Sequence, residues 1–130
     1  MSIVFTNGCF DIIHRGHLEL LRYCKSIGSK VIVGLNSDSS VKSLKGSDRP
    51  INNQLDRVFH LESLRYVDRV IMFDEDTPYN LIKKIKPNII VKGGDYNVGS
   101  VVGNDIAEVR IFKYVKGYST TEKIQDIVNR

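Results

Sequence analysis

Short runs of β-branched and aromatic residues alternate along the chain with longer segments whose apolar positions recur at helical spacing. This is the pattern of βαβ units built around a parallel sheet. Ile3 to Thr6, Lys30 to Leu35, Val70 to Phe73, Asn88 to Val91 and Glu108 to Tyr114 read as five strands. Between the first two, His17 to Ile27 carries Leu18, Leu21 and Cys24 on one stripe, which predicts a helix covering one sheet face and stopped by Gly28. Gln54 to Tyr66 repeats the pattern with Leu55, Val58, Phe59, Leu61 and Leu64. A third helix opens at Thr77-Pro78, an N-cap followed by a first-turn proline, and Lys86-Pro87 closes it. Ser119-Thr120-Thr121, with Glu122 in the first turn, starts a last helix that runs to Val128. The fold expected is α/β: one doubly wound, Rossmann-like domain over residues 1–130, five parallel strands flanked by helices.

In such a sheet, ligands bind beyond the carboxyl ends of the strands, where the strand order reverses. The polar, glycine-bearing segments fall at those ends. Asn7-Gly8 follows the first strand, Asn36-Ser37-Asp38 the second, Lys92-Gly93-Gly94-Asp95 the fourth and Gly117 to Thr121 the fifth. Four polar loops therefore converge on one crevice. At 130 residues, 42% hydrophobic and 26% charged, the chain is sized and composed for one globular core, which excludes disordered and fibrous classes. Nineteen Lys and Arg against fifteen Asp and Glu leave +4, enough to favour an anionic ligand such as phosphate but not a polybasic nucleic-acid arm. Cys9 and Cys24 lack metal-type spacing and are expected as reduced thiols. With neither a signal peptide nor an apolar run of membrane length, the expected location is the cytoplasm, with no membrane partner.

The most informative segment is Asn7 to His17, Asn-Gly-Cys-Phe-Asp-Ile-Ile-His-Arg-Gly-His. Gly8 permits a tight turn after the strand, leaving backbone N–H groups free to face an anion, and His14 and His17 flank a glycine where a helix begins. Two imidazoles thus stand beside a phosphate cradle. Further on, Lys42 and Lys45 follow the second strand, where flexible ammonium groups reach phosphates, and Arg49 and Arg57 bracket a helix start with forks suited to bidentate contacts. Solvated lysines on a polar loop remain the alternative for Lys42. His60, alone on its helix, reads as a structural or surface histidine.

These residues resemble a known family. His14-Arg15-Gly16-His17 after Gly8-Cys9-Phe10-Asp11 is similar to the HxGH signature of the nucleotidyltransferase superfamily, in its cytidylyltransferase-like branch. Collinear segments at Asn36 to Asp38, Leu44 to Gly46, Arg49-Pro50, Arg57, Asp74 to Pro78, Val91 to Tyr96 and Gly117 to Thr121 extend the resemblance over nearly the whole chain, towards bacterial heptose 1-phosphate adenylyltransferases. The resemblance implies transfer of AMP from ATP to a sugar 1-phosphate, with release of pyrophosphate. It casts His14, His17, Lys45 and Arg57 as catalytic. Gly8, Cys9, Phe10, Lys42, Lys92, Gly94, Ser119, Thr120 and Thr121 would hold the nucleotide, and Asp11, Asp38, Arg49 and Asp95 the acceptor side. Magnesium is implied, carried mainly by triphosphate oxygens rather than protein ligands. A homodimer is implied as well, to which the apolar surplus of Leu55, Phe59, Leu61 and Tyr66 lends support, unless that surplus packs under the Asp74 to Pro78 loop.

Two alternatives stay open: a CTP-dependent transfer to glycerol 3-phosphate or a similar polyol phosphate, and a non-catalytic nucleotide-binding module. Glycerol-phosphate cytidylyltransferases carry an arginine where this chain has Tyr114, and they lack the Lys92 to Tyr96 wording, so both departures favour ATP. Retention of both histidines and Lys45 argues against a mere binder. Arg65, also matched in relatives, is explained nearly as well by a surface ion pair. Between Tyr96 and Glu108 the chain is shorter than the heptose enzymes, which is where acceptor recognition can differ.

Overall fold

Successive residues of the central strands point to opposite faces of the sheet, and each face has its own cover. The computed structural model describes residues 2–113 and 120–129. Its strands are β1 (Ile3–Gly8), β2 (Lys30–Asn36), β3 (Arg69–Phe73), β4 (Ile89–Gly93) and β5 (Glu108–Phe112), all parallel, in the order β3-β2-β1-β4-β5. In register, Val4 lies between Val31 and Ile89, and the next residue, Phe5, between Ile32 and Ile90. The first set joins Leu20, Leu21 and Cys24 of α1 (Arg15–Ile27) in one core. The second set meets Val101, Val109 and Ile82, the one buried residue of the later helix at Tyr79–Ile85. Burying apolar surface on both faces is the condition under which a parallel sheet is stable. The expected α/β, doubly wound architecture is the one observed.

Gly34 and Gly28 mark where backbones come close. A Cβ on Gly34 would lie 2.6 Å from Cζ of Phe5, so the bare strand lets that buried ring lie across it. At the C-cap of α1, Gly28 is extended rather than left-handed, and its smallness admits Val4, whose Cγ2 would be 2.4 Å from an added Cβ.

The helices differ from expectation in instructive ways. α1 starts two residues early, at Arg15 with His14 as N-cap, because a histidine ring supplies the capping acceptor. The buried stripe is His17, Leu20, Leu21 and Cys24, with Leu18 at its exposed edge. A helix not expected from the sequence, α2 (Asp38–Lys45), follows β2, capped by Ser37 Oγ accepting from Ser40 N. Its run is nearly all polar, with Val41 its one buried apolar residue, so no hydrophobic stripe announces it. Next comes α3 (Gln54–Glu62), which ends four residues before Tyr66: Ser63 caps it, its hydroxyl donating to Phe59 O, and Leu64, Tyr66 and Val67 turn back onto the core. In α4 (Tyr79–Ile85) Pro78 occupies the N-cap and no side chain caps it, so Thr77 is not the cap. The last helix, α5 (Thr120–Val128), begins within the expected Ser-Thr-Thr run. Tyr114, the expected end of β5, and Ser119 lie outside the described residues. No helix among the described residues is long and apolar enough to cross a membrane.

Candidate functional site

From β1 the chain winds through β2 to β3 on one side and later through β4 to β5 on the other, so the order reverses between β1 and β4. A crevice of about 470 Å³ opens at the carboxyl ends there. Asn7 and Gly8 of β1, Asn36 of β2 and Lys92 and Gly93 of β4 form its floor, with His14, His17 and Lys45 on its walls. Fold topology alone puts a ligand site at this point.

The two histidines are locked by each other and by the helix start. His14 Nδ1 accepts from Gly16 N at 3.1 Å, and His17 Nδ1 accepts from His14 N at 3.3 Å, a reciprocal capping box that satisfies two otherwise orphaned donors. The rings stack at 3.8 Å between centroids. A backbone N–H always donates, so each Nδ1 is bare and each neutral ring carries its proton on Nε2. Burial pushes the His17 imidazole down to about 3, with the neighbouring His14 and Lys45 adding to the effect. Neutral Nε2–H donors are therefore what this pair offers to a ligand.

Phe10 closes the back of this pair. Its ring packs 5.0 Å from that of His17, and its backbone takes a left-handed φ of 45°, which costs a non-glycine residue roughly 1–2 kcal/mol. Something must hold it there. Arg57, on α3 and fully buried, supplies the hold. Its Nη1 donates to Cys9 O at 2.9 Å and to Asn36 O at 2.7 Å, its Nε to Asn52 O at 3.0 Å, and its Nη2 to Asp38 Oδ1 at 2.8 Å. The turn after β1, the end of β2 and the start of α2 thus share one guanidinium. Nearby, Cys9 lines the crevice, and burial raises its thiol pKa against the pull of Lys45, Arg57 and Arg49. Lys92, half-buried, is pushed below the usual lysine range by the same loss of water, and its Nζ lies 5.0 Å from the centre of the Tyr96 ring.

The structure brings together Gly8, Cys9, Phe10, His14, His17, Lys45, Arg49 and Lys92 of the residues singled out in the sequence. Three expected ligand contacts face the protein instead. Arg57 and Asp11 are fully buried, and Asp38 is half-buried in its ion pair with Arg57; none of the three lines the crevice. Lys42 is exposed and outside the lining, while Gly94 and Asp95 border a separate, smaller depression of about 290 Å³. Ser119 lies outside the described residues, as do the side chains of Thr120 and Thr121. Asn7, Asn36, Thr77 and Tyr96 also line the crevice, although the sequence does not single them out as site residues. The signal for the asparagines is their place as last or near-last residues of strands at the switch point. His60 is exposed, and Arg65 donates to Tyr66 Oη at 3.0 Å on the surface.

The profile of the cytidylyltransferase-like family matches residues 5–126. The chain is 60% identical over 124 residues to the bifunctional protein HldE of a Nitratiruptor species, and 59% identical over 127 residues to that of Aliarcobacter butzleri. These alignments take in 95% and 97% of this chain but 27% of each relative, so the chain spans about a quarter of the length of the curated relatives it matches. Among solved structures, a lipopolysaccharide core biosynthesis protein from Thermoplasma volcanium superposes with a TM-score of 0.74 at 28% identity, covering 92% of this chain and 99% of that one. A pantoate-beta-alanine ligase from Francisella tularensis, at 17% identity and a TM-score of 0.62 over 99% of this chain and 72% of that one, shares the fold.

The depressed His17 sets a pH dependence of stability. Folded, the ring takes its proton only near 3; unfolded, it does so near the ordinary histidine value of about 6.5. Between those values the unfolded state binds the extra proton, so stability falls as pH drops. Denaturant midpoints should decline from about pH 7.5 to about pH 5.5, and His17→Gln, which cannot titrate, should flatten the decline. An equal slope in the variant would show that His17 is not the group responsible.

Proposed function

The chain belongs to the cytidylyltransferase-like family, and from that membership we propose that residues 1–130 form one nucleotidyltransferase domain that passes AMP from ATP to a sugar 1-phosphate of the heptose type. The observation that carries the reading is the pair of stacked imidazoles at the switch-point crevice, each with Nδ1 accepting a backbone N–H and so left with Nε2–H to offer, in a crevice also lined by Lys45 and Arg49. An oxygen of the acceptor phosphate attacks the α-phosphorus in line, the bond to the β-phosphate oxygen breaks, and pyrophosphate leaves with the electron pair. Such a reaction needs positioned charge and hydrogen-bond donors more than proton transfer. His14 and His17 donate Nε2–H to phosphate oxygens, and their neutrality means that no proton has to move. Backbone amides of residues 8–10 cradle the same chain of phosphates, and the Lys45 ammonium stabilises the departing pyrophosphate.

Arg57 enters as a positioning residue, since it is fully buried, lies outside the crevice lining and spends Nε, Nη1 and Nη2 on four protein acceptors. Thr120 and Thr121 are proposed to hold the nucleotide from the start of α5 on the strength of the resemblance. The described residues contain no cluster of three or more His, Cys, Asp or Glu able to hold a metal ion, and Asp76 is the one carboxylate among those lining the crevice. That donor set fits magnesium brought in on the triphosphate and wrapped by its oxygens and water. The motif resemblance to heptose 1-phosphate adenylyltransferases supports the heptose-type acceptor and ATP as donor. Of the two departures that favour ATP over CTP, the Lys92 to Tyr96 segment follows β4, and Tyr114 lies outside the described residues.

We also propose a homodimer in the cytoplasm. Of the expected surplus, Leu61 is buried and Tyr66 packs against the core, whereas Leu55 and Phe59 are 73% and 69% exposed, with Ile51 just before them 57%, so these face outward rather than packing beneath the Asp74 to Pro78 loop. An exposed apolar stripe of this kind suits a twofold neighbour.

Two measurements test these readings. Pyrophosphate release with each of the four triphosphates and a panel of sugar 1-phosphates should be fastest with ATP, and His17→Ala should cut turnover on the order of a hundred- to a thousandfold while moving the ATP dissociation constant little. Preference for CTP overturns the donor assignment, and equal losses in binding and rate reduce His17 to a nucleotide holder. Sedimentation should give twice 14.8 kDa, collapsing to 14.8 kDa in Leu55→Glu/Phe59→Glu; a wild-type monomer removes the dimer.

A further inference from the structure

Asp11 is a fully buried carboxylate for which the reaction above has no direct use. It sits on the turn leaving β1, yet its bonds cross to the segment between α2 and α3. Oδ2 accepts from Arg49 Nε at 3.2 Å and from Ile51 N at 2.7 Å, Oδ1 accepts from Asn52 N at 2.8 Å, and Asn52 Nδ2 donates to Asp11 O at 2.6 Å. Both carboxylate oxygens are therefore spent on N–H donors of one short segment.

The consequence lies at Arg49. Its side chain is 11% exposed and lines the crevice, and with Nε tied to Asp11 its Nη2 is buried with no hydrogen-bond partner among the described residues. Leaving a buried donor unmatched costs roughly 1–3 kcal/mol, and more when it is charged. A ligand atom removes that cost. Lys45 and Lys92, the other cations lining the crevice, are point charges, whereas a guanidinium presents a planar fork matched to phosphate oxygens.

We propose that Arg49 is the anchor for the acceptor's phosphate monoester and that Asp11 is its positioning residue. The proposal rests on the nucleotidyl-transfer reading for the identity of the acceptor. The triphosphate already meets the imidazoles, the turn amides and Lys45, while the attacking phosphate needs its non-reacting oxygens held so that the remaining one points at the α-phosphorus. Asp11 sets the orientation of that hold.

Charge and position predict opposite signs for Asp11→Asn. Removing a negative charge beside Arg49 raises the local positive potential and by itself tightens phosphate binding. Losing the position weakens it, because whichever way the amide turns, its NH₂ confronts an N–H donor on Arg49, Ile51 or Asn52.

The test is a calorimetric titration of inorganic phosphate into protein saturated with α,β-methylene-ATP, alongside Michaelis constants for ATP and the sugar phosphate. Asp11→Asn and Arg49→Lys should each weaken phosphate binding about tenfold or more and raise the acceptor KM, with the ATP KM within about twofold of wild type, and the double variant should lose no more than either alone. Tighter or unchanged phosphate binding in a folded Asp11→Asn overturns the positioning role. Should Asp11→Asn not fold, Arg49→Lys decides: wild-type binding refutes the fork, and a selective rise in the ATP KM moves Arg49 to the donor. A wild-type chain that binds phosphate through Arg49 but turns over no donor and acceptor pair defeats the transfer reading while the anchor stands.

Discussion

One buried guanidinium joins the segments from which the crevice is built. A charge with no exposed surface is tolerated only if its donors are met, and Arg57 meets them with the carbonyls of Cys9, Asn36 and Asn52 and the carboxylate of Asp38. The β1–β2 ladder already fixes Cys9 against Asn36; what the guanidinium adds is the tie from those strand ends to Asp38 at the start of α2 and Asn52 just before α3. Lysine cannot replace it, since an ammonium on a flexible stem does not span four acceptors in a plane. The left-handed Phe10 and its ring, packed on His17, follow directly on Cys9, whose carbonyl this hub holds.

A second carboxylate-centred hub, at Asp11, does for the segment 49–52 what Arg57 does for the strand ends. Between the two, the crevice is assembled by polar groups buried behind it that hold the turn after β1, the strand ends and the segment before α3 in place. The walls then offer two imidazoles, the exposed Lys45, the half-buried Lys92 and Arg49, whose charge is tied from behind by Asp11. Donors fixed before the ligand arrives need no reorganisation when charge shifts on phosphate oxygens, which is the condition under which electrostatic stabilisation is strongest.

Much of this is legible in the sequence because the sheet obeys a period of two and its β-branched runs are dense; the strand count, their parallel pairing and the switch-point crevice follow from that. His14 and His17 stand out because a glycine and a helix start lie between strand and ring. Depth is not legible. Asp11, Asp38 and Arg57 carry the same side-chain chemistry whether they face a ligand or the protein, and motif membership does not separate the two. α2 leaves no trace in the pattern because Ser, Asp and Lys favour loops as readily as helices, and its one buried apolar residue, Val41, makes no stripe. Spacing alone allows Leu18, Leu21 and Cys24 as the stripe, whereas the buried one is His17, Leu20, Leu21 and Cys24, a choice that an apolar pattern does not show when a histidine is one of its members.

The crevice presents two neutral imidazoles, each with Nδ1 bound to a backbone N–H and its proton on Nε2. Long-range proton–nitrogen correlation spectra of protein labelled with ¹⁵N at histidine read this directly. At about pH 6, where a free histidine is mostly protonated, His14 and His17 should both show an unprotonated Nδ1 and a protonated Nε2. Nitrogen shifts of an imidazolium for His17, or a proton on Nδ1 of either ring, would contradict the account.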